Sequence, residues 1–382
     1  MSNKMYNILI VIDTSRASGR KFLTGVEKYL SAFANWRVSV LPPEYLRGGT
    51  DKTKFPLNME EIDGLIVRDS TDLDYLLDIN KPKVINDTQR ELIPFTSTII
   101  TDSKEVGKVA GDYFLGLGFK HFAFCGFEQL SWSHKRFASY KDTLEDAGVD
   151  TIYNYSNTDN DSNDWQAIAN WLADLPRPLC VFACNDDRAV YVLEACKLAN
   201  IKTPEEVAVL GVDNDELVCN LSFPPLSSIE LDFEKSGFVA AQHIDQLIQH
   251  KANHKIIHVK PTEVVNRQST DILAIDDENV LNALIYIREN YKKAILTKDI
   301  VNATCISRRE LEKRFSRYLK KSIKSEIDRL RSNWIKKKLL NSNESIGTIV
   351  KDIEFTDPEH FSRYFKNATG KSPSSFRKEN KI

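Results

Sequence analysis

The sequence predicts an α/β body of two doubly wound lobes, followed by an all-α tail in which one helix pair occurs twice. Three observations carry this. Short apolar runs alternate with amphipathic stretches over roughly the first 270 residues. A polar pattern ending in an aromatic residue recurs about fifty residues apart near the C-terminus. Charge divides at the same boundary: from Asp277 onward there are 24 Lys and Arg against 14 Asp and Glu, a balance of +10, and the preceding residues carry 28 against 40. An acidic body with a basic tail is the asymmetry expected when only the tail meets phosphate.

Strands are expected at 8–12, 37–41, 64–67, 83–86, 97–101, 121–125, 180–183 and 207–212. Helices are expected at 20–33, 104–116, 137–147, 165–175, 188–199 and 235–249. Strands apolar on both faces, joined through helices, make a parallel sheet covered on both sides. The length suits two such lobes better than one. From His258 the chain reads as one return strand that closes the body. The domains are therefore expected at 1–270 and 278–382, with a linker at 271–277. The chain shows no apolar run of membrane-spanning length, and its N-terminal strand is too short and lacks the cleavage site of a signal peptide, so a cytoplasmic location is expected. Six cysteines lie without CxxC spacing, as reduced core thiols do, and no metal or cofactor is expected.

In open α/β sheets ligands lie at the carboxyl ends of the strands. That rule selects Asp13, Ser15 and Arg16, with Arg20 following, then Asn86-Asp87, Thr101-Asp102, Asn185-Asp186 and Asp213-Asn214. Carboxylates, amides and guanidinium groups suit a neutral sugar, whose adjacent hydroxyls both donate and accept. Phe22, Trp132 and Trp165 are candidates to cover its apolar face. Plainer roles are open to the same residues: Asn185-Asp186 can cap a helix, Asp213 can close an Asx-turn, and the tryptophans can pack in the core.

The tail repeat reads Ser307-Arg-Arg-Glu-Leu-Glu-Lys-Arg-Phe315 and Asp357-Pro-Glu-His-Phe-Ser-Arg-Tyr-Phe365. Ser307 with Glu310 makes a capping box, and Asp357 with Pro358 makes a cap followed by proline at the first helical position. Leu311/Phe315 and Phe361/Phe365 are spaced to share one face. Arg309, Glu312 and Lys313 then lie opposite in the first copy, and Glu359 and Arg363 in the second. An apolar helix and a short turn precede each copy, which is the helix-turn-helix plan. One helix over 325–340 joins the copies; at roughly 24 Å it suits two reading helices about one DNA turn, ~34 Å, apart.

The paired pattern, with Phe361-Ser-Arg-Tyr-Phe-Lys-Asn-Ala-Thr-Gly-Lys-Ser-Pro373 and then Phe376-Arg377, resembles the AraC/XylS family of bacterial transcription regulators. The resemblance covers roughly the last hundred residues. It implies base contacts from Arg309, Glu312, Lys313, Glu359, His360 and Arg363, and phosphate contacts from Lys320, Lys321, Lys371 and Arg377. One position departs: Glu354 stands where that family usually has glycine. In the body, Phe182-Ala-Cys-Asn-Asp-Asp187, Val207-Ala-Val-Leu-Gly-Val-Asp-Asn214 and Pro225-Leu-Ser-Ser-Ile-Glu-Leu-Asp-Phe233 resemble the ligand domain of lactose-repressor-type regulators, which shares the fold of periplasmic sugar-binding proteins. This implies that Arg136, Asn185 and Asp213, with Asp186 nearby, face a sugar. Repressors of that type carry their DNA-binding domain first, whereas here the first strand opens the chain. Val264-Val-Asn-Arg-Gln-Ser-Thr-Asp271 and Val209-Leu-Gly-Val-Asp-Asn-Asp-Glu-Leu217 resemble regulators of xylose utilisation, which implies D-xylose or another pentose as effector.

The expectation is thus a sugar-responsive, homodimeric activator that binds double-stranded DNA and acts on RNA polymerase, with no membrane partner and no catalytic residue. The alternatives are a ligand-independent DNA-binding regulator and an enzyme acting on a sugar or nucleotide. No Gly-rich phosphate loop, HExxH or GxSxG motif supports the enzyme.

Overall fold

The computed structural model describes residues 5–41, 58–68, 74–86, 96–157, 164–272, 277–319, 321–342, 344–355 and 357–380. They fall into two compact units, Met1–Ile272 and Leu273–Ile382.

The first unit runs β1 (Tyr6–Val11), α1 (Ala17–Phe33), β2 (Trp36–Leu41), β3 (Gly64–Arg68), α2 (Asp74–Leu77), β4 (Lys83–Asn86) and β5 (Ser97–Thr101). It continues with α3 (Ser103–Gly116), β6 (His121–Phe127), α4 (Ser131–Asp146), β7 (Ile152–Asn157), α5 (Asp164–Ala173), β8 (Leu179–Ala183), α6 (Asp186–Leu198), β9 (Val207–Val212), α7 (Glu216–Leu221) and β10 (Ser227–Leu231). It closes with α8 (Phe233–Ile248), β11 (Ile256–Val259) and β12 (Pro261–Val265). Among the described residues the strands form two six-stranded sheets, ordered β11-β5-β4-β3-β1-β2 and β12-β10-β9-β8-β6-β7. Each sheet belongs to one lobe. All pairings are parallel except β10 with β12.

The single return strand expected from His258 is two strands. β11 completes the first sheet and β12 the second, with only Lys260 between them and Pro261 as the first residue of the new strand. Two strands went unforeseen. β7 is a half-buried edge strand with an exposed Asn154, and β10 opens on two buried serines rather than an apolar run.

The chain crosses between lobes three times, after β5, after β10 and between β11 and β12. Asp102 N–H donates to Val259 O at 2.9 Å, and Asp232 N–H donates to Lys260 O at 3.0 Å, so the crossings are laced together. The same two aspartates cap the helices that follow, accepting from Glu105 N–H and Lys235 N–H. In the first lobe α1 lies directly on α8. A Cβ on Gly25 would come within 1.8 Å of Glu234 O, and one on Gly237 within 2.0 Å of Phe22 O, so only glycine allows this approach.

The second unit is helical: α9 (Glu278–Asn290), α10 (Thr297–Asn302), α11 (Arg308–Leu319), α12 (Ile323–Asn341), α13 (Ile346–Asp352), α14 (Pro358–Thr369) and α15 (Pro373–Asn380). The apolar pairs Leu311/Phe315 and Phe361/Phe365 are fully buried, as their spacing predicts. α12 has 19 residues, three more than expected, and spans roughly 28 Å. Asp357 accepts from Glu359 N–H and His360 N–H ahead of Pro358, and Gly370 ends α14 in the left-handed region at φ 80°. Ser307 Oγ accepts from Glu310 N–H at 3.4 Å, but the Glu310 carboxylate is spent on Arg314 Nε at 2.7 Å instead of completing the capping box. No helix among the described residues is long and apolar enough to cross a membrane.

Candidate functional site

A cavity of about 330 Å³ opens where the carboxyl ends of the two sheets face each other. The first lobe supplies Asp13 and Arg16 from the β1–α1 turn, and Arg68 from the end of β3. The second supplies Arg136 from α4, Asn185 and Asp187 at the start of α6, and Asp213 after β9. Every one of these guanidinium groups has a carboxylate: Arg68 lies 3.1 Å from Asp13, Arg16 lies 2.5 Å from Asp187, and Arg136 lies 3.9 Å from Asp213.

Asp13 is held from several sides. Its Oδ1 accepts from Ser15 N–H at 2.8 Å and from Ser15 Oγ at 2.6 Å. Burial pushes its pKa up, but the Ser15 bonds, Arg68 and Arg16 together hold it below the ordinary carboxylate value. Burial, reinforced by Asp215, raises Asp187 in spite of Arg16.

Arg136 is 4% exposed. Its Nη1 donates to Cys184 O, and its guanidinium stacks 4.8 Å from the centroid of the Trp132 ring. Its Nε–H is buried with no hydrogen-bond partner in the protein. Asp213 has φ 101° and Asn214 φ 45°. A left-handed backbone costs a residue with a Cβ about 1 kcal/mol or more.

Asp186 has a different place. It is buried beneath the cavity, with Oδ2 accepting from Asp215 N–H at 2.8 Å and Oδ1 from Ser228 Oγ at 2.6 Å. Burial first, and the Asp213 charge next, push its carboxyl up to about 8. A Cβ on Gly211 would come within 2.3 Å of its Oδ1, so the glycine makes room for it.

The lobes are held together beside the cavity. Ala17 N–H donates to Asp215 Oδ2 at 3.0 Å in a buried setting, and Lys21 Nζ reaches Glu230 at 2.7 Å and Asn214 O at 3.0 Å. The Arg16–Asp187 pair is half exposed and is worth roughly 1 kcal/mol at most. The buried bond at Ala17 is the firmer tie.

Of the residues expected at the site, Asp13, Arg16, Arg136, Asn185, Asp186 and Asp213 line one cavity. Asn185 does so while its Oδ1 caps α6 by accepting from Arg188 N–H. Ser15 and Arg20 do not line it. Ser15 braces Asp13, and Arg20 donates to Thr14 O and Ser15 O, fixing the turn. Trp132 is at the cavity; Phe22 is core, and Trp165 lies tilted beside Tyr191 at the surface. Asn86 and Thr101 also line it, and Asp87 lies outside the described residues. Sequence reasoning missed Arg68, Asp187 and Asp215. The first is a strand-end residue like the others, hidden by placing the end of β3 one residue early.

In the second unit Arg309, Glu312 and Lys313 on α11 and Glu359, His360 and Arg363 on α14 are exposed. Glu312 pairs with Arg308 at 2.9 Å, and the His360 ring lies 5.5 Å from Phe355. Lys371 is exposed as well. Two of the expected phosphate contacts serve the fold: Lys321 pairs with buried Glu326 at 2.7 Å, and Arg377 Nε donates to Leu339 O at 3.1 Å. Lys320 lies outside the described residues. Glu326 also takes Arg329 at 2.6 Å. Burial would raise its carboxyl, but the bonds from Arg329 and Lys321 outweigh it and hold it down at about 2.

Among the described residues no cluster of His, Cys, Asp or Glu is arranged to hold a metal ion. Five of the six cysteines are buried and all six are free thiols.

A periplasmic binding protein-like domain matches residues 111–270, and a helix-turn-helix domain matches residues 300–379. Over 401 residues the chain is 27% identical to the xylose operon regulatory protein of Haemophilus influenzae, covering 99% of both chains. Over 394 residues it is 28% identical to the xylose operon regulatory protein of Escherichia coli K12, covering 100% of this chain and 99% of that one. The solved structure of the xylose-binding transcription activator xylR superposes with a TM-score of 0.80 at 26% identity, covering 100% of both chains.

Proposed function

From a chain that joins a periplasmic-binding-protein-like domain to a helix-turn-helix domain, we propose a sugar-responsive DNA-binding transcription activator of pentose-utilisation genes, with D-xylose as effector. The observation that carries the reading is the cavity between the lobes, in which Arg16, Arg68 and Arg136 each stand beside a carboxylate. Such pairs offer donors and acceptors side by side, which suits the vicinal hydroxyls of an uncharged sugar. They suit a phosphorylated sugar poorly, because the cations are already neutralised and the carboxylates repel phosphate. In this reading Asp13, Arg136, Asn185 and Asp213 bind the sugar, Trp132 covers its apolar face, and Asp186 shapes the floor.

The second unit supplies the output. Its exposed α11 and α14 faces present Arg309, Lys313, His360 and Arg363 to base edges, with Glu312 and Glu359 beside them. The protein acts in the cytoplasm as a homodimer, and sugar binding shifts its affinity for operator DNA, from which it recruits RNA polymerase.

Thermal melting against a panel of neutral pentoses, hexoses and sugar phosphates tests the sensor. A ligand at a hundred times its Kd adds about 2.7 kcal/mol, a rise of about 5 °C for a domain of this size. D-xylose is expected to give it. A shift with sugar phosphates alone, or with no compound in the panel, would overturn the assignment.

A further inference from the structure

One turn of the second unit carries a residue that its backbone disfavours. Glu354 follows α13 with φ 51°, in the left-handed region where glycine is favoured over any residue with a Cβ. The turn itself is well made. Glu354 N–H donates to Lys351 O at 3.1 Å, and Phe355 N–H to Val350 O at 3.0 Å. Arg331 on α12 supports it from outside: Nη2 donates to Ile353 O at 2.7 Å, and the guanidinium lies 4.6 Å from the centroid of the Phe355 ring. None of these bonds uses the Glu354 side chain, so glycine would build the same turn with less strain.

The side chain goes to the other half of the unit. Glu354 Oε2 accepts from Ala294 N–H at 3.2 Å. Ala294 lies between α9 and α10, ahead of the first helix pair, and Glu354 lies in the turn of the second. Lys292, from the same loop as Ala294, sets its ammonium 5.3 Å from the centroid of the Trp334 ring on α12. The covalent link between the halves is α12 alone. A single helix is a semi-rigid spacer that can still curve gently, and one extra base pair of spacing would turn the second half-site by ~34° around the duplex, so a second tie beside the helix fixes the phase more closely.

We infer that Glu354 is a positioning strut: its carboxylate ties the α9–α10 loop to the turn of the second helix pair and so sets the spacing and phase at which α11 and α14 meet DNA. This rests on the DNA-binding reading above. It accounts for the otherwise wasteful choice of a glutamate at a left-handed position.

The test selects binding sites from a random double-stranded DNA library with the purified full-length wild type, Glu354→Gly and Glu354→Gln, each checked by thermal melting. The wild type is expected to enrich two base clusters at one spacing. Glu354→Gly is expected to melt no lower than wild type and to enrich the same clusters, with spacings spread by a base pair or more. It should bind the wild-type site about tenfold more weakly, the effect of losing one charge-assisted bond. Glu354→Gln keeps an acceptor oxygen, so it should hold the wild-type spacing and stay within about threefold. If Glu354→Gly keeps the single spacing and binds within about twofold, there is no strut. If it loses one base cluster while melting normally, Glu354 reads bases and the inference also fails. If the wild type enriches no site, the DNA-binding reading falls and takes this one with it.

Discussion

Replacing Asp186 by asparagine should remove a pH dependence from the stability of the first unit. Asp186 is buried, and burial together with the neighbouring Asp213 charge lifts its carboxyl to about 8. In the unfolded chain it titrates near 3.9. Between those values the native state holds a proton that the unfolded state has lost, so stability falls as pH rises through the window. The contribution is fully present below about pH 4 and gone above about pH 8. One proton gives a slope of about 1.4 kcal/mol per pH unit, hence about 2.7 kcal/mol between pH 5 and pH 7. Asparagine holds no titrating proton but keeps an amide oxygen for Asp215 N–H and the Cys219 thiol and an NH2 for Ser228 Oγ, the groups that Asp186 now meets. Thermal melts of both proteins at pH 5, 6, 7 and 8, compared as differences, cancel every other titrating group. At roughly 2 °C per kcal/mol, the wild type should lose about 5 °C relative to the variant from pH 5 to pH 7. A difference flat to about 1 °C would show that Asp186 does not titrate in this window. A difference growing in favour of the wild type at higher pH would show that its charged form is the one the fold needs.

Asp213→Ala should abolish the melting shift given by D-xylose while the variant still binds the DNA site selected by the wild type within about twofold; a normal sugar shift would remove Asp213 from the site. In the second unit Glu326→Gln should cost about 2 kcal/mol, because it strips the carboxylate from Lys321 and Arg329 at a buried position. Since Glu326 is held at about 2, its contribution is present above its unfolded value near 4.3 and is lost as pH falls toward 2. Chemical denaturation at pH 7 and pH 3, in which the variant loses as much at pH 3 as at pH 7, would contradict this.

Much of this architecture was legible because strong local patterns agreed with the global fold. β1 and β9 are apolar on both faces, and of the strand-end polar residues expected at the ligand Asp13, Arg16, Asn86, Thr101, Asn185, Asp186 and Asp213 line the cavity. The misses have physical reasons. β10 begins Ser227-Ser228, and both serines are buried by bonds to Thr270, Arg267, Asp186 and Asn214 that no local reading of the sequence supplies. Arg20 and Arg16 are equivalent in sequence, both cationic and both near the end of β1. The path of the turn sends Arg16 to Asp187 across the cavity, whereas Arg20 donates back to Thr14 O and Ser15 O and meets Asp215 of the second lobe only at 3.9 Å. Phe22 is aromatic and close to the site in sequence, yet the period of α1 puts it on the face against α8.

Backbone strain separates the working residues from the rest more sharply than residue type does. Five non-glycine residues among those described have positive φ: Asn200, Asp213, Asn214, His250 and Glu354. Asn200, His250 and Glu354 stand just past the ends of α6, α8 and α13, at helix exits where the left-handed conformation is the ordinary way to stop, and Asp213 and Asn214 form the turn after β9. Asp213, Asn214 and Glu354 differ from the other two in having a side chain that bridges to another element, which glycine could not replace. Asp213 stands beside Arg136, Asn214 Nδ2 donates to Glu230, and Glu354 receives Ala294 N–H. A left-handed turn that needed only its backbone would be cheaper with glycine. Where the chain accepts that strain and then uses the side chain to bridge to another element, the side chain is the reason for the residue. By that measure Asp213 in the cavity wall and Glu354 in the second helix-turn-helix are the same kind of residue, although the carboxylate pattern of the sequence points to the first and says nothing of the second.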